Sequence, residues 1–291
     1  MNITRRRFLT VSAAALATPG RAATRHDWSG LALGTAVRLR LSGASDHQAQ
    51  RVFRRVAAVL TQVEADFSLH RDSALARLNR DGRLAFPGEQ MLRLCALADR
   101  VHRATGGAFD PSVQPLWLAM ALGHDPAKAR AALGWSRVRV ATQEIRLDHG
   151  MALTFNGIAQ GHAADRIADL MRDEGLENVL IDMGEVQALG HAPGGVPWRA
   201  RIAGPDGTGL AELGLSNRAL ATSSPFGTTI GNGHSHILHP LGLPVLWQTA
   251  SVSAAQAAVA DALSTAACLM NRTAIDSALA EFPEARLEAL S

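Results

Sequence analysis

Between Thr154 and Gly190 the chain alternates apolar runs with polar, glycine-bearing turns, TFNGIAQGHAADRIADLMRDEGLENVLIDMGEVQALG, an order that predicts strand, glycine turn, helix and strand. The apolar run Met151 to Phe155 enters Asn156-Gly157, and Gly161 precedes a helix on which Ala164, Ile167, Ala168 and Met171 recur at helical spacing. Gly175 is placed to end that helix. The next apolar run, Asn178 to Met183, stops at Gly184-Glu185, so a flexible backbone and a carboxylate lie at the end of the following strand. Glycine turns and helix N-termini expose N–H groups that suit phosphate. Gly157 and Gly161 do not make the dinucleotide-binding fingerprint, and such turns are commonly only turns.

Elsewhere, Leu31 to Leu41 alternates as a strand, and Asp46 is placed to cap an amphipathic helix from His47 to about Asp66, with Val52, Val56, Val59, Leu60 and Val63 on one face. A second helix is expected from about Gly88 to Ala104. After Pro111 a short helix among Trp117 and Trp135 gives way to short strands near Val138, Ile145 and Leu153. Trp198 to Ala203 and Leu210 to Leu215 alternate and are joined by GPDGTG, a hairpin signal. A strand near Val252 leads into a helix from Ala255 to Asn271. Strands and helices without regular alternation predict an α+β fold, with mixed sheets and packed helices in a single two-lobed core, and not a doubly wound sheet.

The N-terminus changes the picture of where this fold works. Thr4-Arg5-Arg6-Arg7-Phe8-Leu9 is followed by an alanine-rich apolar run, Val11 to Ala17, and by small residues up to Ala22-Ala23. This reads as a twin-arginine export signal over 1–22, with 23–291 as the mature periplasmic domain and the twin-arginine export machinery as a partner. The apolar run is too short to cross a bilayer and no cysteine sits at the cleavage region, so neither a stable membrane anchor nor a lipoprotein is indicated. Cleavage removes Arg5, Arg6, Arg7 and Arg21, taking the formal net charge from +3 to about −1 and with it the case for nucleic acid or an anionic membrane.

A hydrophobic fraction of 47% supports a sizeable core. Cys95 and Cys268 lie in alanine- and leucine-rich helical patterns, which predicts two buried thiols in place of a disulfide or a nucleophile. Tyrosine is absent, and Lys128, in a surface-like stretch after Asp125-Pro126, is the sole lysine. Lysine phosphate clamps and Schiff-base chemistry are thereby excluded, and arginine supplies the positive charge.

Asp261 and Thr265, four residues apart on one predicted helix, present a carboxylate and a hydroxyl on the same face, hard donors of the kind magnesium takes. The same pair also reads as a helix cap and a hydroxyl bonded back to a carbonyl. His234, His236 and His239 raise a zinc reading, since 234 and 236 share a strand face, and equally that of solvated histidines in a glycine-rich loop.

Five blocks, in order, resemble the ApbE family of FAD:protein FMN transferases. They are Phe67 to Asn79 (FSLHRDSALARLN), Thr105 to Leu116 (TGGAFDPSVQPL), the glycine-turn unit around Asn156 to Asp165, Thr222-Ser223 with His236 to Pro244 (HILHPLGLP), and Ala260 to Thr265 (ADALST). The resemblance implies that an acceptor threonine, in a motif of the form Asp-x-x-[ST]-Gly-Ala-Thr on a flavoprotein of a membrane or periplasmic electron-transfer system, attacks the FMN-side phosphorus of FAD, with AMP leaving. It implies Mg2+ at Asp261, Thr265 and the Gly157 carbonyl, with Asp261 and the base candidate His236 as catalytic residues. It also implies contacts to the flavin nucleotide from His70, Asp110, Gln160, Gly161, Asp165, Asp182, Gly184, Glu185, Thr222, Ser223 and His236.

Gln160 stands where many members have lysine, as in a branch resembling NosX, the accessory flavin transferase of nitrous oxide respiration, which the turn Asp182-Met183-Gly184-Glu185 also suits. His70 replaces a ring-stacking tyrosine, His239 replaces an aspartate, and Pro240 to Pro244 lacks the Thr-Gly step. A flavin carrier without transfer activity, or an FAD hydrolase using water in place of threonine, fits the same residues.

Overall fold

A computed structural model describes residues 9–12 and 24–291; the arginines and the cleavage region assigned to the export signal lie outside these residues. Seven antiparallel strands form the central sheet: β1 (Arg25–Ala32), β2 (Thr35–Ser42), β3 (Val179–Asp182), β4 (Val186–Leu189), β7 (Arg218–Ser223), β8 (Ala250–Ala254) and β9 (Arg286–Leu290). Their spatial order is β9-β8-β7-β4-β3-β2-β1. The stretch Leu31 to Leu41, expected as one strand, is a hairpin. Leu33 and Gly34 both take positive φ, +50° and +73°, the two-residue turn whose twist matches flanking strands, and no Asn-Gly or Asp-Gly marks it in the sequence.

Alternation along the strands sorts the two faces. In β3, Val179 and Ile181 face the larger core and Leu180 the smaller one. The larger core holds α1 (Asp46–Phe67), α2 (Ala74–Asp81), α3 (Glu89–Ala104), α5 (Ala159–Asp173), α6 (Ala257–Ala267) and α7 (Arg272–Ala280). The α1 face of Val52, Val56, Leu60 and Val63 is buried as expected, but Ser45 caps this helix, accepting from the Gln48 N–H at 3.2 Å, and Asp46 is its first residue. On the opposite face, the antiparallel ribbon of β5 (Trp198–Ala203) and β6 (Gly209–Leu215) places Trp198, Ala200, Ile202 and Leu215 against Leu180, Val186, Ala188 and Leu220. The strand Leu9–Ser12 pairs antiparallel with β5. One sheet with a core on each face is the α+β arrangement predicted.

Three further expectations differ, each because of a contact the fold supplies. Met151 to Phe155 joins no sheet; its backbone hangs on Asn79, whose amide donates to the Leu153 carbonyl at 2.8 Å and accepts from the Leu153 N–H at 2.7 Å. α6 stops short of Asn271 because that residue caps α7, accepting from the Ala274 N–H at 2.9 Å. Gly161 lies inside α5, where contact with α6 requires a residue without a side chain.

Cys95 and Cys268 are free and buried, and desolvation pushes each thiol up to about 12. No helix among the described residues is long and apolar enough to cross a membrane.

Candidate active site

The site forms where α5 and α6 cross. A Cβ on Gly161 would press on the Ala257 carbonyl and lie 2.6 Å from the Ala258 Cα, so the two backbones are in contact there. This closeness lets the Gly161 N–H donate to Asp261 Oδ2 at 3.1 Å, fixing a carboxylate that is 3% exposed. One turn along α5, Asp165 closes the crossing from the other side. Its oxygens accept from the N–H groups of Ala257 (2.7 Å) and Ala258 (2.9 Å) and cap the start of α6. Asp165 therefore sets the position of the helix carrying Asp261.

Burial raises the Asp165 pKa from 3.8 to about 6 against the opposing pull of the two amides. Because the folded-state value lies above the unfolded one, the folded protein binds the extra proton, and stability falls as pH rises from the ordinary aspartate range through about 6. Asp165→Asn is expected to remove that slope. Denaturant midpoints of the two proteins across this range test it, and parallel curves would refute it.

Thr265 follows Asp261 by one turn of α6 and meets the Gly157 turn, where a Cβ would lie 3.1 Å from Thr265 Oγ1 and 3.2 Å from its methyl. Ser223, at the end of β7, brings its hydroxyl to 2.8 Å from Ser264 Oγ and 3.4 Å from Thr265 Oγ1. Ser264 Oγ in turn donates to the Asp261 carbonyl at 3.0 Å. Gly157, Ser223, Asp261 and Thr265 are thus gathered at one place, with Ser264, which sequence reasoning passed over although it stands inside the ADALST block. One buried carboxylate among hydroxyl and carbonyl oxygens, without thiolate or imidazole, is a hard donor set that fits Mg2+. Thr222 is separated from Ser223 by strand alternation and shares a hydrogen bond of 2.7 Å with Ser251.

A second group collects at the β3–β4 turn. Gly184 takes φ +97°, and a Cβ there would lie 3.7 Å from the Thr35 methyl and 3.8 Å from Gln160 Oε1. Gln160, 4% exposed, donates to Thr35 Oγ1 at 2.9 Å. Asp182 Oδ1 accepts from the Gly184 N–H at 3.1 Å, and the neighbouring Glu185 side chain is buried. Thr35 was missed because a threonine opening a strand carries no signal of its own.

The ring of His236 is fixed by the loop before it. Nδ1 lies 2.8 Å from the Pro225 carbonyl and 2.9 Å from that of Thr228. Two acceptors can be met only by an N–H, so in the neutral ring the lone pair is on Nε2. His239 is set the other way: its Nδ1 accepts from the Leu241 N–H at 3.1 Å, and burial lowers its pKa. His234 is exposed, and no group of three or more His, Cys, Asp or Glu arranged to hold a metal occurs among the described residues.

His70 lies exposed in the turn after α1, with its N–H donating to Ser68 Oγ at 3.2 Å. Asp110 caps the short helical turn Pro111–Val113, accepting from Ser112 N (2.8 Å) and Oγ (2.6 Å).

Sheet, crossing helices and donor set define an α+β core with a cluster of oxygen donors beside a glycine turn. The chain belongs to the ApbE family, whose family model matches residues 33–290. A FAD:protein FMN transferase of Klebsiella pneumoniae is 29% identical over 83% of this chain and 76% of its own length. One from Treponema pallidum is also 29% identical, over 91% of this chain and 84% of its own. Among solved structures, the flavin transferase ApbE from Vibrio cholerae superposes with a TM-score of 0.78 at 25% identity, covering 88% of this chain and 90% of that one. The ApbE protein of Thermotoga maritima shares the fold with a TM-score of 0.79 at 23% identity, over 92% and 96% of the two chains.

Proposed function

We propose that this chain transfers FMN from FAD to a threonine of a periplasmic acceptor protein and releases AMP, with magnesium as the required ion. The observation that carries the reading is the convergence of Asp261, Thr265 and the Gly157 turn, tied by the Gly161 N–H, in a chain whose relatives are FAD:protein FMN transferases. Asp261, Thr265 and the Gly157 carbonyl would hold the ion. Bound there, magnesium supplies charge neutralisation for the pyrophosphate of FAD.

The protein's own groups do the rest. His236 Nε2 accepts the threonine proton as the bond from threonine Oγ to the FMN-side phosphorus forms and the bond from that phosphorus to the AMP oxygen breaks. The Pro225 and Thr228 carbonyls keep the ring in the tautomer this step needs. Gln160, held by Thr35, offers a neutral hydrogen bond where a lysine would offer a charge. That substitution, with the Asp182-Met183-Gly184-Glu185 turn, supports an acceptor in nitrous oxide respiration.

Mass spectrometry of an acceptor domain bearing the Asp-x-x-[ST]-Gly-Ala-Thr motif, after incubation with FAD and magnesium, tests the reading. FMN on the motif's threonine and stoichiometric AMP are the expected result. Tight FAD binding without modification would leave a carrier, and AMP release without modification a hydrolase. For the address, Arg5→Lys with Arg6→Lys is expected to hold the precursor in the cytoplasm, since the export receptor reads the arginine pair. Undiminished periplasmic accumulation would refute export by that route.

A further inference from the structure

From Ala219 to Ala260 the chain contains no Asp, Glu, Lys or Arg, although charged residues make up 19% of the whole. The stretch Pro111 to His124 is equally free of them and contains α4 (Gln114–Leu122). The fold brings the two together. A Cβ on Gly231 would press on the Met120 carbonyl and lie 3.6 Å from the Ala121 Cα, so the loop before His236 rests on the end of α4. Gly242 lies against Arg130, in the short helix that follows α4.

This surface, with the Arg130 guanidinium beside Gly242, leaves large apolar side chains in water: Leu118 and Leu122 of α4, Phe226, and Leu241, Leu243 and Leu246 of the loop after His236, with Leu241 79% exposed. Single exposed leucines need no explanation, but a charge-free group of them marks a binding surface. Its place selects the partner. Phe226 sits between Pro225 and Thr228, whose carbonyls hold His236 Nδ1, and Leu241 supplies the N–H that fixes His239. The apolar surface is continuous with the loop that orients the base.

We propose that this surface receives the acceptor protein, and that it favours an acceptor segment with apolar, uncharged residues beside the threonine. Resting on the transferase reading above, it adds the recognition element that reading lacks. A charged residue flanking the threonine would be desolvated against leucine, whereas an apolar one gains burial at about 25 cal/mol per Å².

The test uses Leu241→Asp with Leu243→Asp in the full mature protein; both side chains are exposed, so the fold is left intact. Acceptor binding is measured by calorimetry with an acceptor whose threonine is replaced by alanine, separately from transfer. The expected result is at least tenfold weaker acceptor binding and a matching rise in KM for the acceptor, with FAD affinity and kcat at saturating acceptor within about threefold of wild type. Unchanged acceptor binding overturns the proposal. A loss of FAD affinity in the variant also overturns it and assigns the leucines to the nucleotide pocket. Loss of self-association, or of binding to lipid vesicles, with acceptor affinity intact assigns the surface to a second copy or to a membrane. Failure of the transferase reading is seen separately, as wild-type protein that binds the acceptor but does not modify it.

Discussion

Asp261→Asn is expected to lower flavin transfer by at least about a hundredfold, equivalent to roughly 3 kcal/mol of lost transition-state stabilisation. The asparagine oxygen can still accept from the Gly161 N–H, so the crossing of α5 and α6 survives and only the negative charge is removed. The loss should appear at every magnesium concentration that saturates the wild type, with an unchanged circular dichroism spectrum. A variant restored to near wild-type rate by more magnesium would retain a weaker metal site. A variant with full activity at ordinary magnesium would reduce Asp261 to a helix residue bonded to a neighbouring backbone.

His236→Ala is expected to slow transfer by about 10²–10⁴-fold while FAD affinity stays within a few-fold of wild type, because a base acts in the transition state and not on the bound nucleotide. The pH profile separates this from a structural role. A base must be unprotonated to work, so wild-type kcat should rise with pH to a plateau, and that acidic limb should vanish in the variant. In His236→Ala the Thr228 carbonyl loses its ring donor, while the Pro225 carbonyl keeps the backbone N–H of residue 236, at 3.2 Å in the wild type. His236→Gln, whose side-chain amide can also donate, is the companion: if it restores transfer as well as FAD binding, the ring only props the loop.

The legible parts of this chain were those where local pattern and tertiary demand coincide. The valine and leucine face of α1 and the alternating ribbon of β5 and β6 are written as periodicities, and both stand in the structure. The pairing of Asp261 and Thr265 was legible because they lie one turn apart on one helix, a relation set by sequence spacing alone. Thr35 and Ser264 were not, because their contribution depends on partners from distant segments. Asp165 shows the same limit in reverse. Its spacing from the glycine turn places it among nucleotide contacts by resemblance, while its two hydrogen bonds run to the amides that open α6, a relation only tertiary structure supplies. As a turn signal, Gly161 reads as standing before its helix, yet it occurs within α5 since nothing larger fits against Ala257.

The hydrogen bond from Gly161 to Asp261 also bears on the order in which the protein becomes competent. Its partners stand 100 residues apart in the chain, and a contact of such sequence separation must await closure of a long loop. A chain still emerging from the ribosome, or one with α6 undocked, lacks the Gly161–Asp261 contact and with it the cation site proposed above. On the proposed reading ligand occupancy reports completed folding, and FAD with magnesium is expected to raise the melting temperature with concentration.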